Sequence, residues 1–316
     1  GYVFLDEDRE KTIEHPIFIS QGDVTDIVFS SDSFVLEINS KSGLYPLYVT
    51  YSIFRNRVSE EHSGKEPNEL PIEDQLKIWD KTVSENIFVI CKTPMAKSIT
   101  KRTLLGFRNK KSNMRYFEDL INQIISKPNN FVHKTKNGKE YWKTNNNNNM
   151  KFNAIVGNPP YMEMDGGAQA SAKPIYNHFV EIAKQIEPQY ISMIMPSRWY
   201  SGGKGLDDFR SSMLNDKRIS LLHDFINPEL VFPNTNIRGG VCYFLWDENY
   251  DNESNLTEVV THRANQEPVS TKRSLKNNIS SIFIREEQSL KILEKVKNHT
   301  KFKSFKKIVS SRKPFG

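Results

Sequence analysis

The chain has 316 residues, 37% hydrophobic and 26% charged, with 44 Lys and Arg against 38 Asp and Glu for a net charge of +6. That composition describes a globular protein able to bury a core, and excludes a disordered chain. No apolar run approaches the ~20 residues of a spanning helix, and Cys91 and Cys242 give neither a metal spacing nor a disulfide framework, so a reducing, cytoplasmic setting is expected.

In chain order, residues 1–33 are mixed and polar, with a short apolar-alternating piece at Pro16 to Ser20. Phe34 to Ile38 reads as a buried strand that ends in a turn from Asn39 to Gly43, and Tyr45 to Arg55 has the apolar repeat of a helix packed on a sheet. A polar loop is expected over Val58 to Pro71, a helix over Gln75 to Ser84 and a second buried strand over Asn86 to Cys91. Lys92 to Arg115 holds eight Lys or Arg and no acid, and Tyr116 to Ile125 suits an amphipathic helix. The asparagine tract Asn145 to Asn149 reads as a surface loop.

Phe152 to Gly157 is a third strand, Pro174 to Ile186 a helix with Pro174 near its first turn, and Tyr190 to Met195 a fourth strand. Leu206 to Leu214 is a helix; Ile219 to Phe225 and Gly240 to Trp246 are the fifth and sixth strands. Strands alternating with helices predict a doubly wound α/β sheet. After Asp247 the pattern gives way to Asn, Ser and charge, which predicts a linker near 247–275. Residues 251–316 carry fourteen basic side chains against seven acidic ones, so residues 1–250 are close to neutral; Lys301 to Lys313 holds six basic residues and no acid. A basic block beside a neutral domain is the footprint of a phosphate-binding surface.

Asn158-Pro159-Pro160-Tyr161 follows the third strand directly, at the carboxyl end where ligands of an open α/β sheet bind. Adenine's exocyclic nitrogen is a poor nucleophile because its lone pair is delocalised into the ring. Two acceptors aimed at its hydrogens, Asn158 Oδ1 and the Pro159 carbonyl, would localise that pair. The prolines restrict the backbone, and Tyr161 offers a face for stacking. His178 and His223 read as packed side chains, and the loop Gly202 to Gly205 lacks P-loop spacing.

The span Phe34 to Trp246 resembles the γ-class N6-adenine DNA methyltransferases of bacterial restriction–modification systems, in particular the fused restriction–methylase polypeptides. The resemblance rests on the FNAIVGNPPY context of the Asn158 quartet, on Ile175 to Phe179, on Tyr190 to Ser197, and on Val231-Phe232-Pro233 with Gly239 to Trp246. It implies a Rossmann-like, S-adenosylmethionine-dependent methyltransferase sheet followed by a C-terminal segment of a DNA-recognition domain. Catalysis would fall to Asn158, Pro159, Pro160 and Tyr161, with Tyr161 and Phe232 stacking on an adenine flipped out of double-stranded DNA. Glu37, Asn39, Lys41, Gly43 and Thr93 would line the cofactor site, with no metal. Lys41 stands where the family usually has glycine, and Cys91-Lys92-Thr93 lacks the acid that usually holds the ribose.

The expected division is a catalytic domain over 1–247, then a linker and the truncated start of a basic recognition domain over 248–316. Lys301, Lys303, Lys306, Lys307, Arg312 and Lys313 would meet DNA there, with 92–115 as a second basic surface. Nuclease or helicase regions would lie outside this chain, which opens on Gly1 and not Met and reads as either a fragment or an engineered form of a bacterial protein. Two alternatives stand beside this reading: a glutamine-amide N-methyltransferase, and a non-catalytic DNA-binding or specificity module with a degenerate cofactor site.

Overall fold

Continuous apolar runs become parallel strands covered on both faces, and the crossovers bring their carboxyl ends to one edge. The computed structural model describes residues 27, 29–144, 149–163, 172–235, 237–250, 256–305 and 309. Its strands are β1 (Val35–Ser40), β2 (Ile87–Cys91), β3 (Asn113–Tyr116), β4 (Ala154–Gly157), β5 (Met162–Glu163), β6 (Lys173–Pro174), β7 (Tyr190–Pro196), β8 (Ile219–Phe225), β9 (Val241–Asp247), β10 (Thr257–His262) and β11 (Val269–Arg273). Its helices are α1 (Leu44–Glu61), α2 (Ile72–Glu85), α3 (Pro94–Leu105), α4 (Leu120–Ser126), α5 (Pro128–Lys136), α6 (Tyr176–Ile186), α7 (Asp207–Asn215) and α8 (Glu287–Lys297).

One sheet runs in the order β11-β10-β8-β9-β7-β4-β1-β2-β3. From β3 to β7 all pairs are parallel; β9 runs antiparallel between β7 and β8. Strand order reverses between β1 and β4, and this switch point opens a crevice at their carboxyl ends. Alternation along β1 sends Leu36 and Ile38 into the larger core with Phe179 and Phe131, and sends Val35 into the second core with Val49 and Leu104. Glu37 shares the Val35 face, so a carboxyl is buried on the side of α1 and α3. The entry to β4 is fixed by Asn153, whose Oδ1 accepts from Phe34 N at 2.8 Å.

The doubly wound α/β sheet predicted from the sequence is present, and the strand cores at 34–38, 86–91, 152–157, 190–195, 219–225 and 240–246 fall on β1, β2, β4, β7, β8 and β9. Four expectations are corrected. The linker expected over 247–275 instead holds β10 and β11, because β-branched Thr257, Val259, Val260 and Thr261 complete the free edge of β8 and are buried there. The sheet therefore continues past 247. Tyr116 ends a strand, with its helix starting at Leu120, and Pro174 pairs with Met162 in a two-stranded ribbon ahead of α6. The first helix reaches Glu61, into the expected loop, as Val58 is buried against Ile78 and Leu70. The piece at 16–20 and the asparagines 145–148 lie outside the described residues.

Candidate active site

Asn158 leaves β4 at the switch point. Its Oδ1 is buried and accepts no hydrogen bond, and the buried Tyr161 hydroxyl lies against the Asn158 side chain. An unfilled buried acceptor costs about 1–3 kcal/mol, so the fold keeps this atom unsatisfied at an expense that a ligand would relieve. Pro159 is buried and neither proline has an N–H to compete for that acceptor. Burial raises the Tyr161 phenol well above its ordinary range, so the ring is a neutral face. Phe232 meets that ring edge-on, centroids 6.5 Å apart at 69°. Two aromatics from distant parts of the sequence thus meet at the turn after β4. The backbone after Tyr161 folds back through the β5–β6 ribbon, and Ile175 N donates to Tyr161 O at 3.2 Å.

Beside these residues, the turn after β1 is built for a tight approach to α3. Gly43 has φ +78°, and a Cβ there would sit 3.1 Å from Thr100 Cα. Ser40 Oγ accepts from Gly43 N at 3.2 Å and lies 3.2 Å from Thr100 Oγ1. Glu37 pairs across the sheet with Val156, next to Gly157, where an added Cβ would lie 3.4 Å from its Cγ. Burial pushes the Glu37 carboxyl up to about 8 against a smaller lowering by Ser40, and Oε2 has no partner. Asn39, at φ 75° and buried, likewise has an unpartnered Nδ2. Glu37 and Asn39 thus present an open acceptor and an open donor at the first crossover.

Lys41 is exposed on that turn. Cys91 is fully buried, its thiol 3.8 Å from Thr100 Oγ1, and Thr93 Oγ1 accepts from Ala96 N at 3.1 Å as the cap of α3. The end of β2 therefore offers no carboxylate. Tyr45, which no sequence signal marked, stands near Tyr161 and Glu37; burial first, then those two groups, raise its phenol far above the usual range. His178 faces Glu181 at 3.8 Å, while His223 packs on Tyr243 and meets His262. Lys204 of the glycine-rich loop donates to Ala172 O, bridging to the segment after the quartet. Lys301 and Lys303 are exposed, and Lys306, Lys307, Arg312 and Lys313 lie outside the described residues.

A reversed doubly wound sheet, with an Asn-Pro-Pro-Tyr turn after β4 and a crossover turn after β1, is a Rossmann-like α/β fold. Residues 85–232 match the model of the Eco57I restriction-modification methylase family. A Mycoplasma pneumoniae protein described as an uncharacterized adenine-specific methylase is 31% identical over 163 residues, covering 49% of this chain and 39% of that protein. The methyltransferase subunit of a Streptococcus thermophilus type I restriction-modification system superposes with TM-score 0.40 at 10% identity, over 82% of this chain and 46% of that one. The type IIL restriction-modification enzyme MmeI, in complex with DNA, gives 0.48 at 12%, over 77% and 34%. The chain spans less than half the length of these relatives.

Proposed function

We propose that this chain is the catalytic part of an enzyme that transfers a methyl group from S-adenosylmethionine to N6 of adenine in DNA, within a restriction–modification system. The observation that carries the reading is the buried Asn158 Oδ1, which accepts no hydrogen bond, beside the edge-to-face rings of Tyr161 and Phe232. Asn158 Oδ1 accepts one amino hydrogen and the Pro159 carbonyl the other, which localises the nitrogen lone pair. Tyr161 and Phe232 hold the base, which leaves the duplex to reach them. Held acceptors act without reorganising as charge develops, and removing one such contact typically costs ~10²–10³ in rate.

The cofactor supplies an electrophilic methyl group. Its methionine end fits this chain: Glu37 Oε2 is an orphaned acceptor for an ammonium, and Asn39 Nδ2 an orphaned donor for a carboxylate. The ribose end meets Thr93 but no carboxylate, so affinity is reduced by about ten- to a hundredfold relative to a site with that acid. Lys41, exposed on the turn, reaches the methionine carboxylate from outside. The segment following β11 begins the DNA-recognition region, and its lysines with Arg312 contact phosphates. Nuclease or helicase regions belong to the remainder of a longer polypeptide. Among the described residues no helix is long and apolar enough to cross a membrane, in keeping with a bacterial cytoplasmic enzyme.

The test uses tritiated cofactor and unmethylated bacterial DNA, with N6-methyladenine identified after digestion. Wild-type protein is expected to label adenine, and Asn158→Ala to lose all but a trace while keeping its fold and DNA affinity. Full labelling by Asn158→Ala would refute the site. Absence of cofactor binding in calorimetric titration would instead support the non-catalytic module, which the missing ribose acid favours.

A further inference from the structure

At the same sheet edge lies a half-buried ion pair that the reaction does not use. Asp224, fully buried near the end of β8, bonds Arg285 Nη2 at 3.0 Å, and Ser197 Oγ donates to the same carboxylate oxygen at 3.2 Å. The same Arg285 Nη2 donates to the carbonyl of Gly239 at 2.6 Å, and its guanidinium lies over the Tyr200 ring. Gly240, at φ +87°, makes room for it: a Cβ there would come within 2.4 Å of Phe225 O and 2.8 Å of Arg285 Nη2. The backbone carrying Arg285 is itself strapped down. Arg273 donates to the carbonyls of Ile284 and Arg285 at 2.7 and 2.6 Å, Phe283 N donates to Tyr200 O at 2.9 Å, and Arg263 pairs with Glu286 at 2.6 Å.

What this strap holds is the connection from β8 to β9, which carries Phe232. At its start Ile226 N donates to His262 O at the end of β10, and Asn227 Oδ1 accepts from Ala264 N. At its finish Gly239 is bonded by Arg285, while Ser197 N donates to Gly240 O. Both ends of the Phe232 loop are therefore fixed by elements C-terminal to the methyltransferase strands. We infer that Arg285 is a positioning residue: through Asp224 and the Gly239 carbonyl it sets Phe232 against Tyr161, so that the strap at 283–286 controls the geometry of the base pocket. The inference rests on the reading of Phe232 as a base-facing ring.

The consequence is a residue far from the chemistry whose loss misplaces a ring without removing it, an error of about 1 Å being worth up to a hundredfold in rate. The variant Asp224→Asn/Arg285→Met removes both charges, so no lone ion is left buried; Arg285→Lys keeps the pair if the double variant does not fold. Hydrogen exchange of the amides at 229–235, in the absence of DNA, is read beside methylation kinetics and the melting temperature. In the double variant, exchange at 229–235 is expected to quicken and kcat to fall roughly ten- to a hundredfold, with KM for the cofactor unchanged and melting close to wild type. Arg285→Lys is expected to recover part of both. Unchanged exchange at 229–235, or an unchanged kcat, would overturn the inference. A wild-type protein without methylation would sink the functional reading instead, and the exchange comparison would still decide whether Arg285 anchors the loop.

Discussion

Glu37 concentrates the electrostatics of the first crossover in one side chain. Burial pushes its carboxyl from about 4.5 up to about 8, so in the ligand-free protein it holds its proton to a higher pH than the unfolded chain does. Unfolding then releases that proton, and stability falls as pH rises from about 4.5 to about 8, by at most ~1.4 kcal/mol per pH unit. Glu37→Gln should remove that decline, seen as a flatter plot of melting temperature against pH. An ammonium brought to Oε2 favours the charged carboxylate, so cofactor binding near pH 7 should expel close to one proton from Glu37. Titration in two buffers of different ionisation enthalpy measures it. Equal proton release by wild type and Glu37→Gln would place the ammonium elsewhere. Tyr45 and Gly157 lie beside Glu37, and only Gly157 belongs to the quartet context legible in the sequence. Tyr45 was not legible because an aromatic in the first turn of a helix has the same pattern whether it faces a core or a ligand.

Among the elements, the central strands were readable because a strand buried on both faces must be continuously apolar, as IFVIC and YISMIM are. The outer pair β10–β11 was not, since Thr, Glu and Lys alternate there and the surrounding Asn and Ser dilute the signal. What secures β10 is partly a contact that spacing cannot show: His223 Nδ1 lies 2.8 Å from His262 Nε2, with Tyr243 and Phe225 stacked on the two imidazoles at 4.4 and 4.1 Å. One imidazole must donate and the other accept, so at least the acceptor is neutral. Burial, with His262 beside it, pushes His223 down to about 3, and burial pushes His262 down to about 4. The unfolded chain takes up these protons near pH 6.5, so the contribution of the pair is complete above that pH and is lost as pH falls toward 4. On the order of 4 kcal/mol, about 2 from each imidazole, should vanish between pH 7 and pH 5, a loss that His223→Gln/His262→Gln should flatten. Opposed to the slope from Glu37, this places the stability maximum of the ligand-free protein near pH 6.5. A monotonic rise of melting temperature down to pH 5 would contradict the depressed histidines.

For the whole molecule the question is where a duplex lies. Its charge is lopsided, with seven excess positive charges after residue 250 and near neutrality before it. The neutral part nevertheless has a positive edge. Along α3 and the residues flanking it, no ion pair among the described residues engages Lys92, Lys97, Lys101 or Arg102, whereas Arg108 and Lys110 are both tied to Asp80. Arg102 lies over the exposed ring of Phe107 at 4.1 Å, and Lys97 over Tyr116 at 5.9 Å, so these cations are held on the surface and do not fold back onto carboxylates. Under the proposed function two basic stretches are candidates for phosphate, the α3 edge and the sequence block 301–313. Each phosphate neutralised contributes ~0.9 to the slope of log affinity against log salt, so counting slopes separates them. Reversal of Lys301, Lys303, Lys306 and Lys307 to Glu should lower the slope by about 2–4 and weaken every DNA sequence alike. Reversal of Lys97, Lys101 and Arg102 should lower it by a smaller amount, about 1–2, because a duplex delivering a base to Tyr161 grazes that edge at most. The measurement is fluorescence anisotropy of a labelled duplex across a salt series. If the C-terminal reversal leaves the slope unchanged while the α3 reversal abolishes binding, the duplex lies on the methyltransferase sheet's own edge and the basic tail faces solvent. If neither moves the slope, phosphate recognition belongs to parts of the polypeptide beyond these 316 residues.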